Sequence, residues 1–122
     1  MPRSSAPPPT ILVVDDSSTV RRILTVYLAP VRATVLEATG ANEAIGLLGA
    51  RPVDLVIADV TMPDIDGLTM VKMLRSHTNP KLRQIPVILL TGSDVSRASG
   101  MEAGASAFLT KPVSPSELFR VI

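Results

Sequence analysis

Two adjacent aspartates, Asp15 and Asp16, follow the apolar run ILVV and precede a stretch with helical character. A third aspartate, Asp59, ends a second apolar run, DLVIAD. Aspartate is a poor strand former and neighbouring carboxylates repel each other, so folding alone does not explain these residues. Carboxylates that converge on one point can bind a hard cation such as Mg²⁺, and a carboxylate can act as a nucleophile in covalent catalysis.

Two more polar residues stand where apolar runs end. Thr91 ends PVILLT (86–91), and Lys111 follows SAFLT (106–110). In an open α/β sheet, residues just beyond the carboxyl ends of the strands meet at one edge, and ligands bind there. The sequence therefore predicts a site of three carboxylates, one hydroxyl and one ammonium group at that edge.

Short apolar runs and amphipathic segments alternate along the chain and would position this site. The runs are rich in β-branched residues and leucine with little polar alternation, which predicts strands covered on both faces at 11–15, 33–38, 54–59, 86–91 and 106–110. Apolar residues spaced by three and four predict helices at about 18–29, 41–50, 66–76 and 95–103, and from Ser114 onward. Five strands alternating with five helices predict an α/β fold, a doubly wound parallel sheet with helices on both faces.

The helical spacing also predicts which side chains face the core. These are Val20, Ile23, Leu24 and Tyr27 in the first helix, Ala41, Ala44, Ile45 and Leu48 in the second, and Leu68, Val71 and Leu74 in the third. Met70 and Met73 are predicted to pack in the core or at its margin. The last helix has a capping box, with Ser114 as the cap and Glu117 three residues later.

The composition limits the classes of function. The 122 residues are 46% apolar and fit one domain, and a net charge of +1 gives no overall field that favours nucleic acid or an anionic membrane. The chain has no cysteine, which excludes disulfides and thiolate chemistry and is compatible with a reducing compartment. Because no apolar run is long enough to span a bilayer, we expect a soluble cytoplasmic protein that binds neither nucleic acid nor membrane directly.

The two ends of the chain differ from the middle. Residues 1–10 are rich in proline and serine, which predicts a disordered N-terminal tail before a domain at 11–122. The final helix stops at Ile122 after about two turns, which would be marginal for an isolated helix. We therefore expect a piece of a longer protein, cut inside its last helix.

Four motifs together resemble the receiver domain of two-component response regulators. They are VVDDSSTVRRIL, DLVIADVTMPDIDGL, PVILLTG and GASAFLTKP, and the resemblance covers Ile11–Ile122. The first motif is most similar to the chemotaxis-type single receivers. The resemblance implies a flavodoxin-like sheet with strand order 2-1-3-4-5.

The resemblance also implies a magnesium site. In that interpretation Asp16 and Asp59 ligate Mg²⁺ directly, Thr61 supplies its backbone carbonyl, and Asp15 acts largely through water. Asp59 would accept a phosphoryl group from the phosphohistidine of a histidine kinase or phosphotransfer protein. Lys111 would neutralise the charge of that group, a role consistent with the electrostatic demands of phosphoryl transfer.

A conformational switch is implied as well. Thr91 would donate its hydroxyl to the phosphoryl group, and Phe108 would turn inward to fill the space that Thr91 leaves. The family's Lys-Pro bond, here Lys111–Pro112, is often cis, and Thr61 and Ser93 occupy positions that tune hydrolysis of the phosphate.

The implied partners follow from these roles. They are a histidine kinase or histidine phosphotransfer protein, docked on the first helix near Thr19, Val20 and Ile23, and a downstream effector or a fused output domain. Phosphorylation-dependent dimerisation is also implied. The only catalysis expected is phosphorylation and dephosphorylation of the domain's own aspartate.

Three alternatives remain. A pseudo-receiver would dock partners without being phosphorylated. A phosphatase of the haloacid-dehalogenase kind would need Asp-x-Asp-x-Thr, but the strand end reads DVTMP, with Thr61 in place of the second aspartate. A flavodoxin-like cofactor binder would need a hydroxyl-rich phosphate loop and aromatic residues, whereas DDSST is acidic and the aromatic content is 2%.

Some polar residues fit structural interpretations. His77 is predicted to be a solvated loop residue, and Arg75, Lys81 and Arg83 a solvated face without aromatic residues for nucleic acid. DIDG, at 64–67, lacks the remaining ligands of a calcium loop and predicts a turn that starts a helix.

Overall fold

The structure, a computed structural model, describes residues 8–92 and 97–122. Most of the predicted tail therefore lies outside the described residues, as do Ser93 and the predicted start of the fourth helix at Val95. The first strand begins at Thr10, which the composition had assigned to the tail. The Thr10 N–H donates to the Asp54 carboxylate, and the Pro9 carbonyl accepts from the Thr34 N–H. Pro9 and Thr10 are therefore both held at the amino end of the sheet.

Five parallel strands form one sheet in the order β2-β1-β3-β4-β5, as the resemblance implied. Their bounds are β1 Thr10–Val14, β2 Thr34–Ala38, β3 Leu55–Asp59, β4 Val87–Thr91 and β5 Ala107–Thr110. Each lies within one residue of the predicted run. The strand order reverses between β1 and β3, and in this class of fold such a reversal marks the ligand site.

Six α-helices lie within the part of the chain that the structure describes, one more than predicted. They are α1 Ser18–Leu28, α2 Ala41–Ala50, α3 Gly67–Arg75, α4 Pro80–Arg83, α5 Arg97–Ala103 and α6 Pro115–Val121, with a 3₁₀ turn at Ala29–Val31. The extra helix is α4, whose four residues are too few for an apolar period. Its sequence signal is local: the Asn79 side chain accepts from the Lys81 N–H, and Pro80 occupies the first helical position.

The sheet separates two apolar layers because successive strand residues point to opposite faces. In β1, Leu12 and Val14 join one layer, whereas Ile11 and Val13 join the other. The first layer contains buried residues of α2, α3, α4 and α5, and the second contains buried residues of α1 and α6. Both faces are therefore covered, as the continuous apolar runs predicted.

Several side-chain predictions were wrong in detail. Ile23 and Met73 are exposed rather than packed inward, whereas Met70 is fully buried. Arg75 is not part of a solvated face: its Nε donates to the Gly104 carbonyl at 2.9 Å and ties α3 to the end of α5. His77 lies in the loop between α3 and α4, as predicted, where it is half-buried and accepts a hydrogen bond at Nδ1 from the Asn79 N–H.

No helix within residues 8–92 and 97–122 combines the length and the hydrophobicity that crossing a membrane requires.

Candidate functional site

The three predicted carboxylates converge at the carboxyl edge of β1 and β3. Val14 of β1 pairs with Ala58 of β3 in the parallel register. Asp15 and Asp59 are the residues that follow this pair, so they lie side by side. One carboxylate oxygen from each of Asp15, Asp16 and Asp59 lies within 4.8 Å of the others. At such separations each pair of charges repels by about 1 kcal/mol in water and about 4 kcal/mol at an effective dielectric constant of 20.

Asp15 is fixed through every polar group that it has. Its N–H donates to the Ala38 carbonyl at 3.0 Å, and its own carbonyl accepts from Arg21 Nη1 at 2.6 Å. Its Oδ1 accepts from the Ser17 N–H at 2.9 Å, and its Oδ2 lies 3.3 Å from Lys111 Nζ. Asp15 is 2% exposed, whereas Asp16 is exposed on the open side of the cluster.

Lys111, the residue after β5, brings a positive charge to the acidic cluster. Its Nζ lies 3.3 Å from Asp15 Oδ2 and 3.3 Å from Asp59 Oδ2. The Lys111 N–H donates to the Thr91 carbonyl at 2.7 Å, which holds the residue beside the end of β4. The Lys111–Pro112 peptide bond is cis. Three carboxylates against one ammonium group leave a formal charge of −2, which suits a divalent cation.

Asp59 lies in an environment that disfavours its charge. Burial raises the pKa of Asp59, while Lys111 opposes the rise and the neighbouring Asp15 adds to it. The Thr61 backbone, close to the Asp59 carboxylate, lowers this pKa slightly by favouring the ionised form. Without a cation, Asp59 is therefore a carboxylate that binds a proton more readily than an ordinary aspartate.

Thr91 and Phe108 lie on one face of the sheet near the site. Thr91 ends β4 and is 2% exposed. Phe108 pairs in register with Leu89, two residues before Thr91, so both side chains point to the layer that contains α5. Phe108 is 4% exposed and packs against Gly100 of α5, so its ring is in a buried position in this structure.

The comparisons with known proteins agree with this geometry. The family model described as the response regulator receiver domain matches residues 11–122. The chain belongs to the family of response regulator receiver domains. As the sequence motifs indicated, it is the receiver domain of a two-component response regulator.

Relatives and solved structures resemble this receiver domain over most of its length. The transcriptional regulatory protein SrrA of Staphylococcus aureus is 34% identical over 110 residues, which are 88% of this chain and 44% of SrrA. A response regulator receiver protein from Pseudomonas putida has a TM-score of 0.86 at 28% identity, covering 95% of this chain and 96% of its own. The chemotaxis response regulator CheY4 of Vibrio cholerae has a TM-score of 0.82 at 28% identity, with 93% and 98% covered. The receiver domain thus spans less than half the length of SrrA.

The acidic cluster of this receiver domain fits Mg²⁺, which receiver domains generally use at an acidic pocket. Octahedral ligands 2.0–2.1 Å from one Mg²⁺ lie about 3 Å apart when adjacent and about 4.2 Å apart when opposite, so side-chain adjustment can bring oxygens that lie within 4.8 Å of one another onto one ion. Asp16 is exposed, so its carboxylate is accessible to a hydrated ion. The donor set is all oxygen, as a hard cation prefers.

The sequence prediction missed the residues that hold the site in place. Arg21 binds the Asp15 carbonyl and also the Glu37 carboxylate of β2, through Nε at 2.8 Å. Ser17 caps α1 by accepting the Val20 N–H, and its own N–H binds Asp15. The Ser17 cap was visible in the sequence as a serine before an apolar period. The Arg21 contact was not, because it joins a helix to a strand that follows it.

Proposed function

We propose that this receiver domain accepts a phosphoryl group on Asp59 from the phosphohistidine of a histidine kinase or histidine phosphotransfer protein. The observation that carries the proposal is the position of Lys111 Nζ, 3.3 Å from oxygens of both Asp15 and Asp59, beside the exposed Asp16. This arrangement offers a nucleophile, metal-binding oxygens and a fixed positive charge at one point. The catalysis is confined to the domain's own aspartate.

In the transfer, an oxygen of Asp59 forms a bond to phosphorus while the phosphorus–nitrogen bond of the phosphohistidine breaks. The departing imidazole keeps the electron pair of that bond. Lys111 faces the phosphoryl oxygens, and Thr91 donates its hydroxyl to one of them. Mg²⁺, held by Asp16, Asp59 and the Thr61 carbonyl, would neutralise charge on the same oxygens, since phosphoryl transfer depends mainly on positioning and electrostatic stabilisation. Asp15 would act on the ion largely through water.

The response to phosphorylation runs through Thr91 and Phe108. Because both side chains point to the same face of adjoining strands, movement of Thr91 toward Asp59 opens space next to Phe108. Phe108 is 4% exposed, and in this proposal its buried ring position corresponds to the inward state of the switch. The change alters the surface of β5 and its neighbours, and with it the affinity for a downstream effector, a fused output domain or a second receiver.

The phosphodonor would dock beside the site, on α1. An apolar groove of about 390 Å³ is lined by Val20, Ile23 and Tyr27 of α1 and by Lys111, Pro112 and Val113 after β5. Ile23 is 44% exposed there. A partner helix laid in this groove would bring its phosphohistidine toward Asp59.

Incubation with acetyl phosphate and Mg²⁺ tests the proposal. We expect the intact mass to rise by one phosphoryl group in the wild type and to stay unchanged in Asp59→Asn. Asp54→Asn is the matched control, because Asp54 precedes the same strand at its opposite end and accepts only the Thr10 N–H among the hydrogen bonds described. This variant should be phosphorylated like the wild type.

A wild-type protein that gains no phosphoryl group from acetyl phosphate or from a phosphorylated histidine kinase would contradict the proposal. The domain would then be a pseudo-receiver that acts only as a docking module. Loss of phosphorylation in Asp54→Asn as well as in Asp59→Asn would also count against Asp59 as the acceptor.

A further inference from the structure

Asp64, in the loop between β3 and α3, binds the first turn of a different helix. Its Oδ2 accepts from the Asn42 N–H at 2.8 Å, and its Oδ1 accepts from the Ala41 N–H at 3.1 Å. Oδ1 also accepts from the Ile65 N–H at 2.7 Å, within its own loop. One carboxylate therefore joins the loop after β3 to the start of α2, more than twenty residues earlier in the chain.

The start of α2 is built to receive a carboxylate from outside. The cap residue that precedes this helix, Gly40, has no side chain to cap it, although this position is usually Ser, Thr, Asp or Asn. A Cβ at Gly40 would lie 2.8 Å from Asp64 Oδ1, so a side chain at this position would require the bound Asp64 carboxylate to shift. Gly40 is extended, at φ −168°, so its backbone does not itself require glycine.

The loop that Asp64 fastens carries two proposed site residues. It begins at Asp59 and passes through Thr61, whose carbonyl is the proposed magnesium ligand. Its two ends are closed on each other, because the Gly67 N–H donates to the Val60 carbonyl at 2.7 Å. Between these ends, the polar anchor is Asp64 and the apolar anchor is the buried Met62. Val60 and Met62, on either side of Thr61, are buried, and Asp64 adds a polar contact to another element from farther along the loop.

The same junction also holds the other acidic loop. The Ala38 carbonyl, just before α2, accepts from the Asp15 N–H. Thr39 next to it is fixed by Glu43, whose carboxylate accepts from the Thr39 N–H at 2.7 Å. The segment from Ala38 to Asn42 thus contacts both metal-binding loops, although it contributes no predicted site residue.

We propose that Asp64 is a positioning residue for the acidic site, which fixes the Thr61 carbonyl and Asp59 relative to Asp15 by fastening their loop to the start of α2. The proposal rests on the proposed function of that site. Backbone hydrogen bonds from Asn42, Ile65 and Ala41 lower the pKa of Asp64, so it remains ionised and able to accept them at neutral pH.

The test separates positioning from simple capping of α2. Asp64→Ala removes both the cap and the tether, whereas Asp64→Ala with Gly40→Asp returns a carboxylate cap from within the chain but leaves the loop untethered. We expect the second variant to regain the wild-type unfolding midpoint. In both variants we expect Mg²⁺ affinity, measured by calorimetry, to fall about tenfold, as is usual when partners that orient metal ligands are removed.

Amide hydrogen exchange in the metal-free protein gives an independent measurement. The Gly67 N–H, which closes the loop by donating to the Val60 carbonyl at 2.7 Å, should exchange faster in both variants than in the wild type. Asp66→Ala is the matched control: Asp66 caps α3 in the same loop by accepting the Thr69 N–H at 2.7 Å, without reaching α2. It should lower stability but keep Mg²⁺ affinity near the wild-type value.

Two outcomes would overturn the positioning role. Full recovery of Mg²⁺ affinity in the double variant would mean that Asp64 only caps α2. Unchanged exchange at Gly67 in Asp64→Ala would mean that the tether does not hold the loop. Failure of the proposed function is a separate result, in which the wild type itself binds no Mg²⁺ and accepts no phosphoryl group, and the exchange measurement still decides whether Asp64 anchors the loop.

Discussion

Asp15 and Asp16 are neighbours in sequence but have different environments, and this difference supports the different roles proposed for them. Both Asp15 carboxylate oxygens already have partners, the Ser17 N–H and Lys111 Nζ. Asp16 is exposed beside them. A cation that enters from solvent meets Asp16 first, whereas a direct bond to Asp15 would compete with those partners. The burial pattern thus supports direct ligation by Asp16 and a water-mediated role for Asp15.

Asp59 predicts how stability depends on pH when no metal is bound. Because burial raises the pKa of Asp59, the folded protein holds this proton more tightly than the unfolded chain does. Its contribution to stability is therefore greatest below the ordinary aspartate pKa of about 3.9 and declines as pH rises through the raised value. Asp59→Asn removes the decline, so urea unfolding in a chelator should show the variant to be more stable than the wild type at neutral pH.

The difference in free energy of unfolding between the wild type and Asp59→Asn should shrink as pH falls, since protonation of Asp59 relieves the same penalty in the wild type. If the free energies of unfolding of the two proteins change in parallel across the acidic pH range, Asp59 is not the group that causes the pH dependence. Saturating Mg²⁺ should narrow the difference at neutral pH as well, because only the wild type retains the full set of three carboxylates.

Lys111 separates metal binding from phosphorylation. Lys111→Ala keeps all three carboxylates and removes the charge that partly neutralises them. We expect calorimetry to show Mg²⁺ affinity equal to or above that of the wild type, while phosphorylation by acetyl phosphate slows by at least tenfold, as loss of a positioned charge commonly does. Lys81→Ala, at an exposed lysine of α4, should leave both unchanged. Weaker Mg²⁺ binding in Lys111→Ala would contradict this division of roles.

At the scale of elements, the sequence predicted the helices and strands best where an apolar pattern extends over many residues and those residues are buried. All five strands were predicted to within one residue, because strands covered on both faces leave continuous apolar runs. The helix α4 was missed because four residues form a single turn. Ile23 and Met73 follow the apolar spacing of their helices yet are exposed, since spacing alone does not show how wide the covered face is.

The contact between α5 and β5 gives a prediction at this scale. A Cβ at Gly100 would lie 2.8 Å from Phe108 Cε2, so the buried ring and any side chain at position 100 compete for the same space. Gly100→Ala should lower the free energy of unfolding by about 1–3 kcal/mol, the usual cost of overpacking. Urea unfolding measures the loss, and NMR contacts of the Phe108 ring should show whether it leaves its buried position.

Gly46→Ala in α2 is the matched control. A Cβ at Gly46 meets nothing within 4 Å, so the variant should gain up to about 1 kcal/mol from helix propensity alone. A similar gain in Gly100→Ala would show that the Phe108 ring adapts to an added methyl group, and that this contact does not hold the ring inward.

At the scale of the whole molecule, the site is assembled from strand ends that are distant in sequence. The prediction that Asp15, Asp59 and Lys111 converge needed only the rule that parallel strands end at one edge, and the distances agree with it. The tether from Asp64 to α2 could not be predicted, because nothing in DIDG or in the sequence near Gly40 indicates that they are in contact. Local patterns therefore predicted which residues meet at the site, but not what holds their loops.

Convergence of three carboxylates also links metal binding to the stability of the whole fold. The unfolded chain does not hold Asp15, Asp16 and Asp59 together, so Mg²⁺ should bind the folded state far more tightly. Under that condition, an Mg²⁺ concentration of one hundred times Kd adds about 2.7 kcal/mol to the free energy of unfolding. The thermal midpoint of the wild type should therefore rise continuously with Mg²⁺ concentration, as differential scanning calorimetry can measure.

Asp16→Asn tests whether that stabilisation comes from the site. Asp16 is exposed, so its loss should not lower the metal-free midpoint and relieves repulsion within the cluster. The dependence on Mg²⁺ should nevertheless be much weaker in this variant, because an accessible ligand oxygen has lost its charge. NaCl at equal ionic strength controls for screening of surface charges. If NaCl raises the wild-type midpoint as much as Mg²⁺ does, or if Asp16→Asn retains the full Mg²⁺ dependence, the stabilisation does not arise from an ion held among these three carboxylates.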